Sequence, residues 1–453
     1  MNLTNIFSST KFRFDIILFL FLAFIAISLR YYATFLGYTS DTETFLARSM
    51  DSIHCWSNFL MCPDAKTVRV YVPSAYGIFS YYENGLIYLI ANNFSTGLEE
   101  VSVQEFQRIY AIYLSLVDTV IAFILYKNFG KLPAFLYVIT PASFLISGLH
   151  TQLDNVALMY ASLACIMYMK SYIKTSIFLF SVSLSFKLNI LVFLPILFLY
   201  PLITSNIVIS KHRISYTLVP IIAFVLYLSY ILPTLFSATL LNLDTTEGIV
   251  GAGSALSIAS LIIEQTFHYS SFNHSVTLLL MQTFDIDNFH IFFMIFFTYI
   301  FLLIIYVYKP DIDLVTIFGL YLILIYSFSP RLHEQYVTWL IIGCFLLWKY
   351  KIFLIPNILA SIVMLNTYSN ISINQGNEIF NLVNFRPMHD FFVAILKIPA
   401  LLFNTRCTNC GLEEHVVLQQ LPLEINSMVL IQMTTIISLI VFLIQIKMSR
   451  VTK

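Results

Sequence analysis

Apolar runs of about twenty residues recur along this chain, and that is the length a helix needs to cross the ~30 Å hydrocarbon core of a bilayer. The first, FDIILFLFLAFIAISLRYYATF, covers about 14–36. Others fall near 108–126, 132–149, 153–169, 215–235, 289–308, 313–329, 336–348, 352–367 and 428–446. A shorter pair, near 175–186 and 189–204, is hinged at Lys187. Together they predict an all-α, polytopic helical membrane protein of about 12 spans, with residues 1–453 forming one membrane-embedded domain. Composition excludes the soluble classes: 59% of residues are hydrophobic and only 11% charged, with a mean hydropathy of +0.83, whereas a soluble domain carries roughly 25% charged residues. An outer-membrane barrel would alternate apolar and polar residues and show no long apolar runs. A net charge of zero gives no reason to expect nucleic acid.

The distribution of the charges tests the span count through the positive-inside rule. With the N-terminus cytoplasmic and the spans alternating, short cytoplasmic loops and termini receive Lys11, Arg13, Lys127, Lys131, Lys170, Lys174, Lys211, Arg213, Lys309, Lys349, Lys351, Lys447, Arg450 and Lys453. Only Asp15, Asp311 and Asp313 accompany them. An error of one span would scramble this split, so both termini are expected in the cytoplasm. The first span is too long for the apolar region of a cleaved leader and reads as a retained signal anchor. Outer loops are then large, at 37–107, 236–288 and 368–427. Within them 76–94 and 388–403 read as interfacial helices, the first because Glu83 and Asn84 interrupt its apolar character and the second because of Pro399. Within the spans, Arg30 is expected to snorkel to the outer boundary. Asp118 reads either as a functional intramembrane acid or as a group hydrogen-bonded to a neighbouring helix.

Four polar clusters fall at the outer ends of spans: Asp41-Thr42-Glu43; His150-Thr151-Gln152-Leu153-Asp154; Lys187 in SFKLN; and Ser329 to Tyr336, with Arg331, His333 and Glu334. Each alone has a plain reading as a cap or an interfacial charge. Together they supply carboxylates, imidazoles and cations on one side. That is the set required to move a sugar from a lipid phosphate: a base for the acceptor hydroxyl and cations for the leaving phosphate. Cys55 and Cys62 in the first outer loop and Cys407 and Cys410 in the last are candidates for disulfides on that side, with CTNC also open to zinc or redox chemistry.

The order of these segments resembles the GT-C superfamily of integral-membrane glycosyltransferases. YTSDTETFLARSM resembles its acidic motif after the first span, and VYVPSAYGIFSYYENGLIYLI its aromatic approach to the second. TPASFLISGLHTQLDNVALMYASLA, LSFKLNILVFLPI and SPRLHEQYVTWLI resemble its later Asp-, Lys- and Arg/His-containing segments. The likeness covers most of 14–350. It is strongest to ER mannosyltransferases and to bacterial mannosyl- or O-antigen-modifying glucosyltransferases. It implies inverting transfer of a hexose, glucose or mannose, from a polyprenyl-phosphate donor to a lipid-linked glycan or O-antigen-like polysaccharide on the periplasmic or lumenal face. The bacterial inner membrane is favoured over the ER. By that pattern Asp41 is the base with Glu43 its rival. Arg331, His333 and Lys187 hold the phosphate, and His150, Gln152, Asp154 and Glu334 meet the donor sugar or acceptor. Branches of the superfamily differ in metal use, and no ligand set here predicts a divalent ion. The rival class is an O-antigen polymerase or a lipid-linked-oligosaccharide flippase. Against it stand Arg-poor outer loops and few mid-span cations.

Overall fold

The computed structural model describes residues 10–36, 42, 45–47, 49–50, 53, 78–94, 101–204, 206–240, 290–309, 311–329, 336–374 and 421–451. Among these residues the chain is helical, with no strand. In chain order the helices are α1 (Thr10–Ala33), α2 (Ile78–Phe94), α3 (Val103–Phe129), α4 (Lys131–Ile139), α5 (Pro141–Gly148), α6 (Asp154–Met169), α7 (Ile173–Phe186) and α8 (Leu194–Ile203). There follow α9 (Ile207–Lys211), α10 (Arg213–Leu240), α11 (His290–Tyr308), α12 (Leu314–Phe328), α13 (Val337–Leu346), α14 (Leu354–Asn374) and α15 (Leu421–Val451).

Local chemistry sets several of these boundaries. Ser102 and Glu105 close a reciprocal capping box at the start of α3: the Glu105 amide donates to Ser102 Oγ at 3.2 Å, and the Ser102 amide donates to Glu105 Oε2 at 3.0 Å. Asp313 caps α12 by accepting from the Thr316 amide at 2.8 Å. Thr140 precedes a proline and is extended, so the apolar run 132–149 does not make one straight helix. It forms α4 and α5, bent by 51°. Lys187 is extended too (φ −150°, ψ 127°), and a 3-10 segment, Leu188–Phe193, follows before α8, which gives the hinge expected there.

Among the described residues, three helical segments are long and apolar enough to cross a membrane: Phe14–Ala33, Val103–Phe129 and Leu430–Met448. The bent pair α4–α5 makes a fourth if it counts as one span. Most other apolar helices are shorter; α6, with 16 residues, is only ~24 Å long at 1.5 Å per residue. Outer helices face their surroundings with large apolar side chains, such as Ile17 at 64% and Phe24 at 71% exposure on α1. By contrast every residue of α13 is buried, as are nearly all of α12. These two pack at van der Waals limits through glycines: a Cβ on Gly343 would stand 2.9 Å from the Gly319 carbonyl. Around them α6 packs on α3, α7, α12 and α13, and α5 packs on α1, α3, α13 and α14.

Asp118, near the middle of α3, ties this assembly together. Its Oδ2 accepts from Arg30 Nε of α1 and from Ser147 Oγ of α5, each at 2.7 Å. Its Oδ1 accepts from the Tyr137 hydroxyl of α4 and from Asn155 Nδ2 of α6, each at 2.7 Å. Arg30 also donates to Ser143 Oγ at 2.9 Å and toward the Ala26 and Val138 carbonyls at 3.4 Å. Both charged side chains are fully buried. Arg30 therefore does not snorkel. It is held inward because Asp118 supplies a buried counter-charge, while Ser143 and the Ala26 and Val138 carbonyls take its other N–H bonds. Of the two readings of Asp118, hydrogen bonding to neighbouring helices is what the structure shows.

Charges expected on one side of the membrane meet at the opposite end of the bundle from the polar clusters. Lys127 pairs with Asp15, Lys131 lies 4.4 Å from the Phe14 ring centroid, Lys349 pairs with Asp313 at 2.9 Å, and Lys309 donates to the Tyr350 hydroxyl at 2.8 Å. Removing one member of a buried ion pair costs about 3–5 kcal/mol. Asp118→Leu is therefore expected to destabilise the protein by about that amount, measured by unfolding in detergent. Adding Arg30→Met to it should recover part of the loss, since the orphaned guanidinium goes while Tyr137, Ser147 and Asn155 still lack their acceptor.

Candidate functional site

The turn between α5 and α6 is built from below by the Asp118 hub, because Ser147 and Asn155, which bracket it, both contact that carboxylate; Asn155 Nδ2 also donates to Ser147 Oγ at 2.7 Å. From the side, Gln107 of α3 donates from Nε2 to the Gly148 and Leu149 carbonyls, each at 3.2 Å, satisfying acceptors that the end of α5 would leave open. The His150 amide returns to the Leu145 carbonyl at 3.2 Å and the Gln152 amide to that of Ile146 at 3.4 Å. Thr151 adopts φ 52°, a strained region for a β-branched residue. Its reward is local: Thr151 Oγ1 lies 3.0 Å from Thr42 Oγ1, with both residues buried. The first and second polar clusters are thus joined through the residue between Asp41 and Glu43.

At the head of α6, Asp154 joins the second cluster to the third and fourth. Lys187 Nζ lies 2.7 Å from Asp154 Oδ1 and 2.8 Å from Oδ2. The indole Nε1 of Trp339, on α13, donates to Oδ1 at 2.6 Å. Asp154 is fully buried and Lys187 is 3% exposed. The Lys187 ammonium also stands 5.6 Å from the Tyr336 ring centroid and 5.8 Å from that of Trp339, within cation–π range. Tyr336 is the first described residue after the Arg331–Glu334 segment. The position of Asp154 in the first turn of α6 sets its negative charge toward the positive end of that helix. The pair is close to neutral as a unit, and a buried pair is tolerable only in that form.

Of the residues expected to form a site, the structure brings together Asp154 and Lys187, with His150 and Gln152 on the adjoining turn. Gln152 is fully buried and His150 partly so. Asp41, Glu43, Arg331, His333 and Glu334 lie outside the described residues, as do Cys55, Cys62, Cys407 and Cys410. The described cysteines, Cys165 and Cys344, are buried free thiols. Among the described residues no three His, Cys, Asp or Glu side chains gather as metal ligands.

Trp339 and Gln107 have no place in the sequence reading, and Thr42 and Thr151 enter it only as members of their clusters, not as a contact between them. A buried indole N–H needs an acceptor, and Tyr336 and Trp339 share a helix face at i, i+3, so the pair carried a usable signal. In the sequence Glu83 reads only as an interruption of the apolar run that becomes α2. Its carboxyl is buried, and burial, offset in part by the Tyr113 hydroxyl, pushes its pKa up to about 8. Neither oxygen completes a hydrogen bond with a described residue.

No protein-family model, no curated protein and no solved structure matches this chain.

Trp339→Phe keeps a ring beside Lys187 but removes one donor to Asp154, and is expected to cost about 1–3 kcal/mol. Lys187→Met leaves Asp154 without its counter-charge and should cost more, about 3–5 kcal/mol. Unfolding in detergent checks both, and equal costs would contradict Lys187 as the principal partner of Asp154.

Proposed function

We propose that this chain is an integral-membrane glycosyltransferase of about 12 spans, with both termini cytoplasmic. In this reading it transfers a hexose, glucose or mannose, from a polyprenyl phosphate to a glycan acceptor at the outer face of a membrane, the bacterial inner membrane by preference. One observation carries most of the reading. Segments near residues 42, 151, 187 and 339, far apart in sequence, meet through buried polar contacts at one end of an apolar helical assembly. Polar groups at such depth are costly, and they are expected where a bundle lines a polar cavity. The order of motifs resembling the GT-C superfamily adds the chemistry.

Asp41 and Glu43 flank Thr42 in the sequence. One of these carboxylates takes the proton from the acceptor hydroxyl, with Asp41 the first choice. The hydroxyl oxygen attacks the anomeric carbon from the face opposite the phosphate, and the carbon–oxygen bond to phosphate breaks. The electron pair leaves with the polyprenyl phosphate, whose charge Arg331 and His333 hold by charge-assisted hydrogen bonds. Lys187 adds positive potential from the rim, moderated by its partner Asp154. Asp154 in turn, occupied by Lys187 and Trp339, serves to position Lys187 rather than to accept a proton from substrate.

The test is transfer of labelled hexose from polyprenyl-phosphate-glucose and polyprenyl-phosphate-mannose by the purified protein. Asp41→Asn is expected to lower kcat by at least about 10²-fold, the lower range for a general base. Arg331→Ala should lower kcat/KM by a similar factor. If Asp41→Asn transfers at the wild-type rate while Glu43→Gln does not, the base is Glu43. Wild type inactive with every lipid-phosphate donor would instead favour an O-antigen polymerase or a flippase.

A further inference from the structure

Outside the cluster just described, one ionisable group has no obvious structural purpose. Glu83 lies on α2, which packs against α3 and α7. Both of its carboxyl oxygens are cut off from solvent, and neither has a hydrogen-bond partner among the described residues. Its polar neighbours are two tyrosines: Tyr113 of α3, whose hydroxyl bears directly on the carboxyl, and Tyr160 of α6. A buried carboxyl with no donor completing a bond to either oxygen carries a desolvation cost that native folds ordinarily remove by pairing. The contrast with Asp118 and Asp154 is sharp, since donors meet both oxygens of each.

The surroundings of Glu83 point to what a missing partner would be. The Tyr160 ring stacks on Phe186 at 5.7 Å and 12°, and Phe79 of α2 meets Phe186 edge-on at 6.0 Å. Phe186 is the residue before Lys187, so this aromatic wall runs into the Asp154–Lys187 pair. On the other side of Glu83, Asn84 accepts from the Tyr110 hydroxyl at 2.8 Å, and Tyr110 stacks on Phe45 at 6.0 Å. Phe45 is three residues after Thr42. Glu83 is therefore linked by short contacts to both halves of the candidate site. Among the described residues no cation acts on it, which favours a neutral ligand over a phosphate. A carboxyl that can accept from hydroxyl groups, set beside flat aromatic faces that pack on C–H surfaces, suits a neutral polyhydroxylated ring.

We propose that Glu83 binds the hydroxyls of the hexose carried on the polyprenyl phosphate, with Tyr160 and Phe186 forming the apolar wall of that subsite. This rests on the glycosyltransferase reading for the identity of the ligand, but it concerns binding and not turnover.

The experiment compares binding of polyprenyl-phosphate-hexose and of bare polyprenyl phosphate to the full-length protein in nanodiscs. Wild type is expected to bind the hexose-bearing lipid more tightly. Glu83→Gln should lose about tenfold of that preference, the equivalent of about one hydrogen bond, with binding of the bare lipid unchanged. The proposal is overturned if wild type does not prefer the sugar-bearing lipid, or if Glu83→Gln weakens both lipids equally or neither. Should Glu83→Gln not fold, Glu83→Asp read against a series of monodeoxy hexose lipids serves instead. Wild type should then discriminate strongly at one position and Glu83→Asp less so, and unchanged discrimination overturns the proposal. A protein that binds as expected yet transfers no sugar would refute the enzyme reading and leave this site standing.

Discussion

A carboxylate in the middle of an apolar bundle sets the geometry of everything above it. Asp118 can remain buried only because Arg30 supplies opposite charge and Tyr137, Ser147 and Asn155 supply the remaining donors. Those partners come from α1, α4, α5 and α6, so satisfying one side chain fixes the relative register of five helices. The pair need not add net stability over well-packed apolar residues. Its contribution is specificity: sliding any of the five helices by a turn would strand a buried polar group.

The same hub fixes the floor of the candidate site. Ser147 and Asn155 stand on either side of the turn that carries His150, Thr151 and Gln152, and Gln107 closes its carbonyls. With the turn held in this way, Thr151 can sustain a backbone conformation that its β-branched side chain disfavours, and can present its hydroxyl to Thr42. One turn further, Asp154 begins α6 already committed to Lys187 and Trp339. Among the described residues, the charges of Asp154 and Lys187 at this end are thus paired with one another.

How much of this was legible depended on the range of each interaction. Helical character, the hinge at Lys187 and the gathering of Lys127 with Asp15 and of Lys349 with Asp313 follow from composition, local backbone preference and charge sidedness. All of these can be read from nearby residues. The bend at Thr140 was equally local, since a pre-proline residue resists the helical region, but apolar continuity across 132–149 masked it. Arg30 was misjudged because its partner lies 88 residues away; judged within its own helix, a cation near a span end has no better option than snorkelling. Asp154 and Lys187 were both singled out, yet as separate ligand groups, since nothing in a spacing of 33 residues reveals a pair. Trp339 and Thr151 work through tertiary contacts alone. The count of about 12 spans came from hydropathy; several of the helices have only 10 to 17 residues, so length distinguishes three, or four with the bent pair.

The most direct measurement is the structure of the full-length protein determined by electron cryo-microscopy with polyprenyl phosphate bound. Phosphate density beside Tyr336 and the Lys187–Trp339 face, within hydrogen-bond reach of Arg331 and on the same side as Thr42, is the expected result. Density for the phosphate at the opposite end, near Lys127 and Lys349, would contradict a lipid-phosphate site at the convergence of the four polar segments.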